Sequence, residues 1–151
     1  QKLVVEEMKG KPESGNIVTE DGEVLGKHNG LFNYTIGQRK GLGIAYKHPL
    51  YVIGFNGDRN EVIVGPNERL FTNRMICKFY NFLDDTIHKE LKAEGKIRYA
   101  ANPSPCIARI LDDDTMEVIF EEPQRAITPG QSVAFYNGTQ LLGGAVIDRV
   151  C

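Results

Sequence analysis

The sequence has little of what most enzyme sites are built from. Its 151 residues hold three cysteines and three histidines. Cys77, Cys106 and Cys151 are widely spaced, with no CxxC pair and no Cys/His cluster, so neither a zinc site nor a disulfide framework is indicated. His28, His48 and His88 are equally scattered. No stretch approaches the roughly 18 apolar residues of a membrane helix. The opening residues, Gln1-Lys2-Leu3-Val4-Val5-Glu6-Glu7, carry acids where a signal peptide needs an apolar core. An odd cysteine count without a secretory signal fits a reducing, cytoplasmic setting. The chain starts on Gln rather than Met, as expected of a fragment or processed product. Neither GxxxxGK[ST] nor a GxGxxG following a strand occurs. No Ser/His/Asp order and no carboxylate pair suggests acid–base work. Cys77 and Cys106 sit in apolar strand patterns, where cysteine acts as a small buried hydrophobe. Asp112-Asp113-Asp114 reads as a solvated turn rather than a metal site. The expectation is a binding module, with no catalytic residue and no metal ligand.

What is present is segregated charge. The formal net charge is −2, from 18 basic and 20 acidic residues. Residues 24–57 nevertheless contain no acid and four bases, Lys27, Arg39, Lys40 and Lys47. Residues 95–111 contain no acid and three bases, Lys96, Arg98 and Arg109, and residues 123–147 no acid and one base, Arg125. An anionic partner meets the local field, not the sum.

The apolar patterning is that of strands. Asp21-Gly22 between Ile17–Glu20 and Glu23–Leu25, and Asn137-Gly138 between Ser132–Tyr136 and Thr139–Leu142, predict two-residue hairpins. Strands are predicted at 51–55 and 61–64 around a longer loop, and at 106–111 and 115–120 around the three aspartates. Others are predicted at 76–80, 96–99 and 145–147. Helical periodicity is poor, with at most two turns at residues 3–9 and one at 66–73, opened by Pro66. No internal repeat is evident. Frequent short strands with Gly, Asn and Asp turns predict a mainly all-β protein of two small domains, residues 1–73 and 74–151. Halves of that size are near the lower limit for an independent core.

Three segments stand out as places for a ligand. Asn33–Ile44 joins Arg39 and Lys40 to Gly37, Gly41 and Gly43, with Gln38, Thr35 and Tyr34 beside them. Glycines let a backbone approach a ligand, Arg and Lys supply phosphate contacts, and Tyr34 can stack on a base. Arg98-Tyr99 offers a guanidinium clamp beside a stacking ring. Pro129-Gly130 marks a tight turn presenting Gln131, whose amide can read a base edge or a sugar. Spacing alone leaves each with a structural alternative: an exposed basic corner, an edge-strand pair, and a side chain that ties down its own loop.

Two long runs carry a resemblance. Gly26-Lys27-His28-Asn29-Gly30 with Tyr34-Thr35-Ile36-Gly37-Gln38-Arg39-Lys40-Gly41-Leu42 strongly resembles the central segment of the bacterial tRNA-specific 2-thiouridylases. Phe120–Ser132, containing Ala126-Ile127-Thr128-Pro129-Gly130-Gln131, together with Ile97-Arg98-Tyr99 and Leu142–Ile147, resembles that family's C-terminal domain. Ala145 departs from it, where the family usually has a third glycine. The resemblance implies a full-length enzyme that uses ATP to activate C2 of the wobble uridine in tRNA, then replaces that oxygen with sulfur from a cysteine persulfide. ATP and both catalytic cysteines would belong to an N-terminal catalytic domain whose SGGVDS-like loop is absent here, leaving this fragment inactive and without a cofactor. The second half is expected to be a β-barrel similar to those of elongation-factor-Tu-like proteins. Arg98, Tyr99 and Gln131 are the expected tRNA contacts. Thr35, Gly37, Gln38, Arg39 and Lys40 are expected at tRNA or a domain interface. The implied partners are tRNA, the N-terminal catalytic domain and a sulfur-relay donor protein, with no membrane, in the cytoplasm. Two other classes stay open: a protein-interaction module that docks a catalytic domain or sulfur donor, and an independent thiol enzyme using Cys77 or Cys106.

Overall fold

The fold is given by a computed structural model, which describes residues 13–83, 89–97 and 102–151. The residue 3–9 segment lies outside the described residues. The chain divides into two compact units between Leu70 and Phe71. The described residues form no α-helix.

The first unit is a four-stranded sheet of order β2-β1-β4-β3. Its strands are β1 (Gly15–Thr19), β2 (Val24–His28), β3 (Tyr51–Asn56) and β4 (Glu61–Gly65). β1 and β4 run parallel and the other neighbours antiparallel. Ile17, Val52, Val62 and Val64 are fully buried on one face. Leu42 and Leu50, from the long connection between β2 and β3, seal that face. A connection this long with little regular structure is uncommon in a compact domain unless it has a task. The β1–β2 hairpin has three loop residues, not two. Gly22 N–H donates to Thr19 O and Thr19 N–H to Glu23 O, with Gly22 at φ 91°. This is a type I turn closed by a left-handed glycine, a geometry that Asp-Gly serves as readily as the two-residue turn.

A buried polar knot holds the open end of the sheet. His28 is 2% exposed. Its Nδ1 accepts from Gly30 N–H at 3.0 Å, and its Nε2 donates to Asn60 O at 2.8 Å, which fixes the neutral Nε2–H tautomer. A Cβ on Gly15 would stand 2.1 Å from Asn60 O, so only glycine fits there. Pro66 precedes a single 3-10 turn at Asn67–Leu70, shorter than the predicted 66–73, because β5 already begins at Phe71.

The second unit is a closed six-stranded barrel, β10-β5-β8-β7-β6-β9. Its strands are β5 (Phe71–Phe82), β6 (Glu90–Lys96), β7 (Ser104–Ile110), β8 (Thr115–Arg125), β9 (Ser132–Asn137) and β10 (Gln140–Val150). Alternate residues point inward: Met75 and Cys77, Cys106 and Ala108, Met116, Val118 and Phe120, Val133 and Phe135, Ala145 and Ile147. Each large side chain fully buried here contributes about 1.5–3 kcal/mol. Closure leaves no free sheet edge.

Three strand expectations are corrected. β5 spans 12 residues rather than 76–80, because it pairs with both β8 and β10. β6 runs Glu90–Lys96, six residues upstream of the start expected at 96, and Arg98 and Tyr99 of the expected 96–99 strand lie outside the described residues. Its sequence, ELKAEGK, is polar, but Leu91, Ala93 and Gly95 alternate. Gly95 makes room for the Phe120 ring, which a Cβ would meet at 3.0 Å. The segments 139–142 and 145–147 are one strand, β10, with bulges absorbing Gly143-Gly144. Its hairpin with β9 turns on Gly138 (φ 62°) and Thr139, one residue later than Asn137-Gly138.

Candidate nucleic-acid interface

The two glycine-turn segments singled out in the sequence are built alike. In Thr35-Ile36-Gly37-Gln38, the Gln38 N–H donates to Thr35 O at 3.0 Å, with Gly37 at φ 91°. In Thr128-Pro129-Gly130-Gln131, the Gln131 N–H donates to Thr128 O at 3.2 Å, with Gly130 at φ 92°. Both have the features of type II turns, whose third position demands a positive φ. Each is also clamped to a core strand by a reciprocal pair of backbone bonds. Gly37 N–H donates to Val52 O and Val52 N–H to Gln38 O. Gly130 N–H donates to Ile147 O and Ile147 N–H to Gln131 O.

The two glutamine side chains are used differently. Gln38 is half-buried and spent internally. Its Oε1 accepts from Thr35 N–H at 3.0 Å and its Nε2 donates to Lys40 O at 2.9 Å. Gln131 is exposed and its side chain has no partner among the described residues. Its loop is held by its own backbone and by Thr128 Oγ1, which donates to Ala126 O at 2.9 Å. The alternative in which Gln131 ties down its loop therefore holds for its main chain only.

Arg39 and Lys40 come directly after Gln38 and are exposed. Neither forms an ion pair with a described residue. Gly41 (φ 79°) and Gly43 (φ 67°) flank Leu42, whose side chain is driven into the sheet core. Tyr34 is not held out for stacking. It packs against that core, with its ring edge-on to His28 at 5.9 Å. Downstream, Arg39, Tyr46, Lys47 and His48 line an open cleft of about 570 Å³ that the sequence reading missed. Its signal was the triplet Tyr46-Lys47-His48, which alternates ring and charge after the glycine loop. Arg98 and Tyr99 lie outside the described residues. They come after Lys96, whose backbone pairs with Ala134 of the strand that Gln131 leads into.

Two thiols and two carboxyls are withdrawn from reaction by their surroundings. Burial pushes both the Cys77 and the Cys106 thiol up to about 12, so neither is a thiolate nucleophile at neutral pH. Asp112 is engaged by its own turn: its Oδ1 accepts from the N–H groups of Asp114 and Thr115, each at 2.9 Å, which lowers its pKa. Glu117, almost inaccessible, accepts from Arg109 Nη2 at 2.7 Å and from Arg74 Nε. Arg109 first and then Arg74 hold its carboxyl below the usual glutamate range. The stabilisation this brings is complete above that range and is lost as pH falls through the lowered value.

Residues 72–147 match the family model described as the aminomethyltransferase beta-barrel domain, and residues 2–66 the one described as the tRNA methyl transferase PRC-barrel domain. The chain is 46% identical over 138 residues to the tRNA-specific 2-thiouridylase MnmA of Clostridioides difficile (strain 630), covering 91% of this chain and 38% of that protein. It is 44% identical over 150 residues to the protein of the same name from Clostridium botulinum (strain Alaska E43 / Type E3), covering 99% and 42%. The same-named protein of Geotalea uraniireducens (strain Rf4) is 46% identical over 146 residues, covering 96% and 39%. The chain belongs to the tRNA-specific 2-thiouridylase family. It spans about two fifths of the length of these curated relatives. The barrel is the second unit, and Gln131 immediately precedes its strand β9.

Proposed function

We propose that this chain is the tRNA-gripping portion of a tRNA-specific 2-thiouridylase, and that bond-making on the wobble uridine belongs to a part of the whole protein outside these residues. The observation that carries this reading is Gln131. Its backbone is fully engaged, its amide is exposed without a partner among the described residues, and it lies in an acid-free stretch of the barrel chain. Because the turn's backbone is already fixed, only the side-chain rotamers of Gln131 have to be ordered when it meets a base edge or sugar. Arg98 and Tyr99 are the companion contacts, a guanidinium for phosphate and a ring for stacking. Thiolating a base requires taking it out of the stack, which needs a grip on the surrounding stem. The inaccessible, neutral thiols of Cys77 and Cys106 support leaving sulfur chemistry, ATP and the sulfur-relay donor to the rest of the protein. The setting is the cytoplasm, where tRNA is processed. No described helix is long and apolar enough to cross a membrane.

Filter binding of tRNA to the 151-residue chain at two salt concentrations tests the assignment. Replacing Arg98 and Tyr99 together by Ala, or Gln131 by Ala, is expected to weaken binding about tenfold. Parent-like affinity in both variants would reject it.

One observation favours a second reading, a docking module for the catalytic portion. Phe79 and Leu83 are 67% and 71% exposed beside Leu141, along a shallow groove of about 620 Å³ on the barrel. Adding the separate catalytic portion with and without tRNA discriminates the two. Tight docking with no tRNA affinity in the 151-residue chain selects the second.

A further inference from the structure

We propose that the cleft lined by residues 39–50 of the first unit is a second RNA contact, seating one phosphate and one unstacked base of a single nucleotide in the RNA chain. The proposal deepens the tRNA-gripping reading and rests on it. Four features of the cleft point to a nucleotide.

The first is uncompensated charge. Arg39 and Lys47 both line the cleft, and no acid occurs anywhere in residues 24–57. Neither cation forms an ion pair with a described residue, whereas Arg69, Arg74, Lys78, Arg109 and Arg149 are each matched to a carboxylate. The charge at the cleft is therefore available to an outside anion.

The second is an aromatic pair beside that charge. Tyr46 and His48 meet edge-on at 4.9 Å, and the Lys47 ammonium lies 5.9 Å from the Tyr46 ring centroid. Interleaved cations and rings suit a sugar–phosphate backbone with an exposed base, since every base has a face to stack. An acidic protein surface would use the cations but has no need of the rings.

The third is pre-organisation. Leu42 and Leu50, each 7% exposed, nail the segment to the sheet core at both ends. Gln38 bridges Thr35 N–H and Lys40 O, which sets the direction in which Arg39 leaves the turn. Ordering costs on binding are reduced accordingly.

The fourth is size. A cleft of about 570 Å³ falls within the usual range for small-molecule sites and accepts one nucleotide, not a duplex.

The test is tRNA binding by the 151-residue chain, measured by filter binding between about 50 and 200 mM salt. Replacing Arg39 and Lys47 together by Ala is expected to lower the log–log salt slope by about 1, the share of the single phosphate they hold, and the low-salt affinity by about tenfold or more. Tyr46→Ala is expected to lower affinity about fivefold or more with the slope unchanged, and Tyr46→Phe to retain parent affinity. Ultraviolet cross-linking to tRNA should mark the peptide carrying Tyr46. Thermal melts control for folding, and Arg39→Gln with Lys47→Gln replaces the alanine pair if that variant melts early. The proposal is overturned, with the gripping reading intact, if Gln131→Ala weakens tRNA binding while the Arg39/Lys47 and Tyr46 variants bind as the parent does. It is also overturned if uridine monophosphate alone displaces tRNA through an Arg39-dependent site, which would make the ligand a free nucleotide. A parent chain that binds no tRNA at low salt overturns both.

Discussion

The turns Thr35-Ile36-Gly37-Gln38 and Thr128-Pro129-Gly130-Gln131 share three of four residues, the same hydrogen bond across the turn and the same two-bond clamp to a buried strand. They differ in the path of the chain beyond the glutamine. After Gln38 the chain turns at Lys40 and Gly41 and brings Lys40 O within reach of the side-chain Nε2, while Oε1 accepts from Thr35 N–H of the turn itself. After Gln131 the chain enters β9, whose backbone groups are committed to neighbouring strands. One glutamine becomes an internal brace, and the other is left for a ligand. The contrast extends to position two. Ile36 packs partly into the sheet core, whereas Pro129 is exposed and fixes the turn by its ring alone. A motif match thus specifies a backbone, while the use of its side chain depends on the next few residues.

The comparison can be broken at the clamps first. Ile147 is 1% exposed beneath the barrel turn, and Ile147→Ala should cost about 2–5 kcal/mol by denaturant titration. Val52→Ala, beneath the other turn, removes fewer atoms and should cost less. The reverse order would mean that the core beneath the first turn relaxes less around a cavity than the barrel does.

Next come the glycines. Gly37→Ala and Gly130→Ala place a Cβ where φ is 91° and 92°, and each should cost about 1–2 kcal/mol. Costs differing by more than about 1 kcal/mol would show that one turn relaxes and the other does not.

The glutamines sharpen the contrast. Gln38→Ala removes both bonds of the internal brace and should cost about 1 kcal/mol in stability. Gln131→Ala should change stability by less than about 0.5 kcal/mol, because no described partner is lost, while its effect falls on tRNA affinity. Matched melting curves for Gln131→Ala and the parent, beside a lowered midpoint for Gln38→Ala, are the expected readout.

Legibility tracked locality. The hairpins at Ile17–Leu25, Tyr51–Val64 and Cys106–Phe120 could be read because alternating apolar residues flank turn residues whose conformational needs are local. The turn at Pro129-Gly130 could be read for the same reason. β6 could not, because Glu-Leu-Lys-Ala-Glu-Gly-Lys has weak intrinsic strand preference and is recruited by β7 and β9. The cleft at Tyr46–His48 could not, because its walls come together only when Leu42 and Leu50 insert into a core formed by β1, β3 and β4. His28 gave no sign of its part, since its partners Gly30 and Asn60 are brought to it by the sheet.

The sequence by itself determined the all-β character, the turns to within a residue and the family, because strand alternation, turn-forming glycines and long specific runs are written in adjacent residues. Only the tertiary structure decided the order in which six strands close the barrel, the strand made by Glu90–Lys96, and which glutamine stays available. Closure, burial and hydrogen-bond satisfaction depend on groups far apart in the chain, and their energies exist only once those groups are in contact.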